Sequence, residues 1–246
     1  MLITSKDNKY YKFFKKLLLK KYRNSENLFL LEGPVVISEA LNFYEPKYVA
    51  VREDLVETYK YILRDRDYLI FSKELFKGIC DSENPQGICA YYPMVHKKFD
   101  LHTGKFLYLD KLRDAGNMGT IIRTADAFSL DGVIISEDSC DLYNPKTIRA
   151  TMASIFRVPI FYLKEDDLIK LDFKIIASTL EDSISIKELD FSSDMILVIG
   201  NETHGVSKKI LDRADLKVKI PININVDSLN AGVAAGIFSY MMTNEN

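Results

Sequence analysis

The sequence is poor in the residues that build disulfide and metal frameworks. Its 246 residues hold three cysteines and three histidines, and Cys80, Cys89 and Cys140 form no CxxC pair. An odd thiol is left over under any pairing, which argues against a disulfide scaffold and fits a reducing cytoplasm. No metal-ligand spacing is present, and no carboxylate pair or nucleophile triad stands out. No apolar run approaches the ~18 residues of a membrane span, and the Lys-rich start lacks the apolar core of a signal peptide. Glycine is also sparse where nucleotide folds need it. Gly116 and Gly119 do not make GxGxxG, and no GxxxxGK run followed by Ser or Thr occurs. A nucleotide-dependent oxidoreductase therefore lacks its fingerprint.

What is present is the balance of a soluble globular chain, 47% hydrophobic and 28% charged, long enough for one large or two ordinary domains. The net charge of -2 conceals an asymmetry. Met1–Arg23 carries seven lysines and Arg23 against only Asp7, a net of +7, so the remainder carries -9. Tyr10, Tyr11, Phe13, Phe14 and Tyr22 interleave with these cations. Such a segment can hold phosphates and stack on unpaired bases. The competing reading is an amphipathic helix whose lysines are its wet face.

The first part alternates short strand-like and helix-like runs. Strands are expected at Leu28–Leu31, Lys47–Val51, Asp67–Phe71 and Gly87–Tyr92. Helices are expected from Gly33-Pro34 to about Phe43, from Glu53 to Leu63, and after Ser72 as far as Gly78. A small α/β domain over residues 1–95 follows, then a polar linker over 96–104. From 105 to 246 the alternation resumes with longer elements. Strands are expected at Phe106–Leu109, Gly132–Ile135, Pro159–Tyr162, Lys174–Ala177, Met195–Ile199 and Leu216–Ile220, and a last helix over roughly Leu229–Met242. This pattern predicts a mostly parallel sheet with helices on both faces.

Three joins in that second part are rich in Gly, Asn or Ser. They are Asn117-Met118-Gly119-Thr120-Ile121-Ile122-Arg123-Thr124-Ala125-Asp126, then Gly200-Asn201-Glu202-Thr203-His204-Gly205, then Ile220-Pro221 followed by Ser228-Leu229-Asn230-Ala231-Gly232. Ligands of open α/β sheets bind at such strand ends. Three joins can build one site. His204 lies inside the second block, and His96 and His102 lie in the linker; a structural role is expected for all three.

The order and content of the three blocks resemble the SpoU–TrmH family of SPOUT RNA methyltransferases, from Lys105 to about Met242. Phe29-Leu30-Leu31-Glu32-Gly33 and Asn84-Pro85-Gln86-Gly87-Ile88 are similar to that family's substrate-binding domain. One departure is the third block, which usually has a glycine shortly after its proline, where this chain reads Pro221-Ile222-Asn223-Ile224-Asn225. The resemblance implies a C-terminal trefoil knot, an exception to the rule against threading. It also implies an S-adenosylmethionine-dependent 2′-O-ribose methyltransferase acting on RNA, ribosomal RNA in particular. The cofactor would be held mostly by main chain at Gly200, Ile220 and Leu229, with Thr179 a further candidate. Arg123 would bind phosphate and stabilise the developing alkoxide, since a guanidinium is effectively always charged. Asn117 would orient ribose or phosphate, Ser228 and Asn230 would complete the site, and Glu202 would organise the turn or the dimer contact, or act directly. A homodimer through the C-terminal domain is expected, with no membrane and no metal. The alternatives are a non-catalytic RNA-binding protein on the same scaffold, against which these intact residues argue, and a transfer-RNA 2′-O-methyltransferase.

Overall fold

A computed structural model describes residues 2–243; Met1 and residues 244–246, within the two expected domains, lie outside the described residues. It divides into two compact units. One comprises Met1–Val95 together with Asp141–Phe156, the other His96–Cys140 together with Arg157–Asn246.

The first unit is built on a five-stranded mixed sheet. Its strands are β1 (Leu2–Ile3), β2 (Leu28–Glu32), β3 (Tyr48–Arg52), β4 (Tyr68–Phe71) and β5 (Ile88–Pro93), in the order β1-β4-β3-β5-β2. The expected strands are all present, and β1 adds an edge that pairs parallel with β4. The expected helix over Glu53–Leu63 shrinks to a 3-10 turn at Glu53–Leu55 and one short turn of helix at Lys60–Leu63.

The basic segment forms two helices, Lys9–Leu17 and Lys20–Glu26. Asn8 caps the first, its side chain accepting from the Tyr10 N–H at 2.9 Å. Tyr11, Phe14 and Leu17 recur at helical spacing and are buried, Phe14 stacking on Tyr91 with ring centroids 4.3 Å apart. Tyr10, Phe13 and Tyr22 are partly buried against the same core. Lys6, Lys9, Lys12, Lys15, Lys16, Lys20 and Lys21 are exposed. Arg23 differs from these lysines. It is only 3% exposed and donates from Nη1 to the Leu17 and Leu18 carbonyls at 3.2 and 2.7 Å, closing the end of the first helix. Its Nη2 pairs with Asp141 at 2.5 Å.

Asp141 belongs to a stretch expected in the second domain. Instead, Asp141–Phe156 completes the first unit. Tyr143 and Phe156 pack on Phe29 with centroids at 5.1 and 5.8 Å, and Phe156 meets Tyr92 edge-on at 5.0 Å. The Pro145–Thr151 helix lies against β2. One face of the sheet is thus covered by the basic segment and the other by this excursion.

The second unit carries eight strands, every pair parallel: β6 (Lys97–Lys98), β7 (Lys105–Leu109), β8 (Gly132–Ile135), β9 (Ile160–Tyr162), β10 (Lys174–Ser178), β11 (Ile184–Ser185), β12 (Met195–Ile199) and β13 (Leu216–Lys219). Their order is β11-β13-β10-β12-β7-β8-β9-β6. The expected linker is not free chain: β6 pairs with β9, and Phe99 is buried among Phe106, Phe161 and Phe173. The inner strands read as continuous apolar runs because both faces are covered. Phe106, Tyr108, Ile196 and Val198 join one core with Leu168, Val206 and Ile210. On the strand period of two, Leu107, Leu109, Leu197 and Ile199 point the other way. The Ala115–Ala127 helix packs on β8, and the Ala231–Thr243 helix on β12 and on Ala115–Ala127.

Because Arg23 is a buried cation tied to one carboxylate, Arg23→Ala should destabilise the first unit by about 3–5 kcal/mol. Urea unfolding measures this, and Lys20→Ala on the wet face should lie within about 0.5 kcal/mol of wild type.

Candidate functional site

The three joins come together at the carboxyl edge of the second sheet. Asp114 caps the Ala115–Ala127 helix, its Oδ1 accepting from the Asn117 N–H at 2.8 Å. The Glu202 carboxylate bridges to the same terminus. It accepts from the Arg113 and Asp114 N–H groups at 3.3 Å each and from Asn117 Nδ2 at 3.0 Å. Asn117 Oδ1 in turn accepts from Asn230 Nδ2 at 2.9 Å. Asn230 Oδ1 caps the final helix, accepting from the Gly232 and Val233 N–H groups at 2.9 and 3.2 Å. One hydrogen-bonded chain therefore links all three blocks through Glu202, Asn117 and Asn230. Partial burial by itself would raise the Glu202 pKa. The Asn117 amide and the backbone N–H groups outweigh it and hold the carboxyl below its ordinary range.

The second block is a tight hairpin. Asn201 and Gly205 exchange backbone hydrogen bonds at 2.9 Å in both directions, and Gly205 adopts φ +67°. Asn201 Oδ1 accepts from the Thr203 and His204 N–H groups, while its Nδ2 donates to the Lys111 carbonyl at 2.7 Å. A Cβ on Gly200 would lie 2.3 Å from the backbone of Gly205 and Val206. The glycine at 200 is therefore required by loop closure, whatever else the loop binds.

Behind the hairpin lies a cavity of about 640 Å³, lined by residues of the second and third blocks and by the end of β10. Thr179, Gly200, Ile220 and Leu229, the four positions expected to hold a cofactor, all line it. Glu202 and Ser228 also face it; Asn117 and Asn230 adjoin it through their bonds to Glu202 and to each other. Most of the remaining wall is apolar or main chain, including Ile199, Ile222, Ala231, Ala234 and Phe238. Arg123 does not reach this cavity. It is exposed on the stripe Thr120–Arg123–Ala127 and forms no ion pair among the described residues. His204 sits exposed in the hairpin, and His96 packs edge-on against Tyr162. Among the described residues no group of three or more His, Cys, Asp or Glu could hold a metal ion.

Sequence reasoning missed the layer beneath the loops. Asp110, at the end of β7 and 1% exposed, accepts from the Ser207 N–H at 2.7 Å. Glu165 accepts from the Ser207 hydroxyl and from Lys111 Nζ, each at 3.1 Å. Burial raises the Asp110 pKa against the pull of Ser207 and Lys111. These groups hold both ends of the loops that form the cavity. The Asp114-x-x-Asn117 spacing was a legible helix-cap signal; nothing local marks Asp110 or Glu165.

Comparison with known proteins agrees with this geometry. Residues 104–240 match the SpoU rRNA Methylase family, and residues 8–90 match the MRM3-like substrate binding domain. The 23S rRNA (guanosine(2553)-2'-O)-methyltransferase RlmP of Bacillus subtilis (strain 168) is 34% identical across 97% of each chain. The AdoMet-bound rRNA methyltransferase from Sinorhizobium meliloti superposes with a TM-score of 0.87 at 28% identity, over 98% of this chain and 97% of that one. A solved RNA 2'-O ribose methyltransferase gives a TM-score of 0.84 at 26% identity over 98% of each chain. Three ordered blocks, a shared fold over nearly the whole length and a matching family profile lead to one conclusion: the chain belongs to the SpoU rRNA methylase family.

Proposed function

We propose that this protein transfers the methyl group of S-adenosylmethionine to a ribose 2′-hydroxyl of ribosomal RNA, in the cytoplasm, where its three thiols, none of them in a disulfide, would stay reduced. The observation that carries the reading is convergence. Four positions from separate segments, Thr179, Gly200, Ile220 and Leu229, line one cavity beside the Glu202–Asn117–Asn230 chain.

The cavity suits the cofactor. Its volume is that of a small-molecule site, and its wall offers backbone groups and aliphatic side chains beside Glu181, Glu202, Lys219 and Asp227. S-adenosylmethionine supplies an electrophilic sulfonium methyl. Glu202 is ionised and has both oxygens engaged, so its part is to aim Asn117 rather than to take a proton. Asn117 keeps one amide hydrogen and one lone pair for the ribose or its phosphate. The exposed Ser228 hydroxyl can add another contact. Arg123, permanently charged, can grip the adjacent phosphate and stabilise the alkoxide as the hydroxyl attacks. The first unit, which resembles a substrate-binding domain, would hold the RNA.

We also propose that two copies pair through the final helix. Val233, Ile237 and Tyr240 form a stripe on it, with Val233 52% and Tyr240 54% exposed. A second copy would cover that apolar face. The C-terminal segment is further read as a trefoil knot, because after β13, beyond β10, the chain returns to pack on β12 and Ala115–Ala127. An experimental chain trace that returns without threading a loop would refute this.

The central test is incubation of labelled S-adenosylmethionine with ribosomal RNA, followed by mapping of the methylated nucleotide; no 2′-O-methyl product would reject the reading. Arg123→Ala should lower single-turnover methyl transfer by ~10²–10³, with cofactor affinity by calorimetry nearly unchanged. Normal turnover, or failure through lost cofactor binding, would remove Arg123 from the chemistry. Glu202→Gln should slow transfer by about tenfold or more, because a neutral acceptor holds Asn117 less firmly. The folded pKa of Glu202 lies below its ordinary 4.5, so its stabilising contribution is full above that value. It disappears as pH falls through the lower folded pKa, and the wild-type/Glu202→Gln stability gap should close there in acid denaturation. Light scattering should give twice the mass of one chain at micromolar concentration; an active monomer would contradict the pairing.

A further inference from the structure

Lys111 stands in the join that leads from β7 into the Ala115–Ala127 helix, and its backbone is left-handed, at φ +54°. A side chain is crowded in that conformation, at a cost of about tenfold in population, which glycine escapes. Three other segments hold Lys111 there. Its N–H donates to Ser136 Oγ at 2.8 Å, and its carbonyl accepts from Asn201 Nδ2 at 2.7 Å. Its ammonium donates to Glu165 Oε2 at 3.1 Å, and this hydrogen bond raises the Lys111 pKa, so the charge persists through the neutral range. Glu165 opens the short Glu165–Leu168 helix beyond β9, and its Oε1 accepts from the Ser207 hydroxyl at 3.1 Å. One carboxylate thus ties the chain entering the first block to the chain leaving the second. Shortly after Lys111, the Arg113 and Asp114 N–H groups donate to Glu202, and Asp114 caps the helix that carries Asn117. A rotation at Lys111 would swing all of these groups together.

We infer that Glu165 is a positioning residue for methyl transfer: by holding the Lys111 ammonium it keeps a strained backbone in place, and through that backbone it sets the aim of Asn117. A join that had only to connect a strand to a helix would be relaxed at this position, or would carry glycine. Strain that persists beside a site, held from three sides, fixes a geometry the chain would not otherwise keep. Without the ion pair Lys111 relaxes toward the right-handed or extended regions. The Arg113 and Asp114 N–H groups then leave Glu202, and Asn117 loses the alignment that orients its amide. The cavity is lined by the second and third blocks and the end of β10, so the cofactor keeps its wall while the rate falls.

The inference rests on the reading of the protein as an RNA methyltransferase. Its test uses the full-length protein, ribosomal RNA and labelled cofactor, with backbone amide hydrogen exchange as a second measurement. Glu165→Gln leaves an oxygen for the Ser207 hydroxyl but no charge for Lys111. With the pair's side chains 35% and 20% exposed, its loss should slow single-turnover transfer about three- to tenfold. Cofactor affinity and thermal midpoint should stay at wild-type values. Lys111→Met should lose a similar factor. Lys111→Gly also lacks the ammonium but adopts the left-handed backbone freely, and it should recover most of that loss. Adding Glu165→Gln to Lys111→Gly should then cost less than about twofold. Exchange of the Arg113 and Asp114 amides should quicken in Glu165→Gln and Lys111→Met and stay slow in Lys111→Gly. Equal transfer by Lys111→Met and Lys111→Gly, or wild-type transfer by Glu165→Gln, overturns the clamp. A loss that appears only as weaker cofactor binding overturns it too. If wild-type protein methylates no RNA, it is the enzymatic reading that fails, and the exchange rates still decide the clamp.

Discussion

The Glu202 carboxylate is the constraint on which the site depends. Three loops end at the same sheet edge, and each would be mobile alone. Glu202 gathers two backbone N–H groups at the start of one helix and the Asn117 amide within it, and Asn117 passes the connection to Asn230 at the start of the other. Anionic charge at a helix N-terminus is favourable, and here it also aligns with the cap made by Asp114. The consequence is a fixed amide pair beside a cavity.

Beneath it, the parallel sheet supplies rigidity. β12 and β7 are apolar on both faces, and their ends leave Asp110 and the Gly200–Gly205 hairpin side by side. Asp110 and Glu165 secure Ser207, and Asn201 secures the Lys111 carbonyl. The hairpin can close only because position 200 has no side chain. The backbone-rich wall that suits S-adenosylmethionine is thus a by-product of how tightly this turn folds.

The first unit solves a different problem. A five-stranded sheet with short helices has two faces to cover. The basic helix covers one, contributing its aromatic side and leaving its lysines in water. The other is covered by Asp141–Phe156, drawn from far along the chain and held by Tyr143, Phe156 and the Arg23–Asp141 pair. Arg23, which counts as surface charge in the sequence, is instead a buried clamp.

The sequence by itself determined the positions of the longer strands, though not of the two-residue strands β1, β6 and β11, together with the parallel character of the second sheet and the identity of the three blocks. These signals are local: apolar runs of strand length and Gly, Asn or Ser at their ends. Gly200, Ile220 and Leu229 were legible through the ordered blocks and Thr179 as the end of the strand before the second block; all four line one cavity. Only the tertiary structure decided that Glu202 bonds Asn117, residues 85 apart, that Asp110 underlies Ser207, 97 apart, and that Arg23 reaches Asp141, 118 apart. It also decided that Phe13 and Phe14 of the basic segment pack inward, because their contacts are with Tyr48, Phe71 and Tyr91 on distant strands. Periodicity records which face of an element is apolar; it holds no record of what that face will meet.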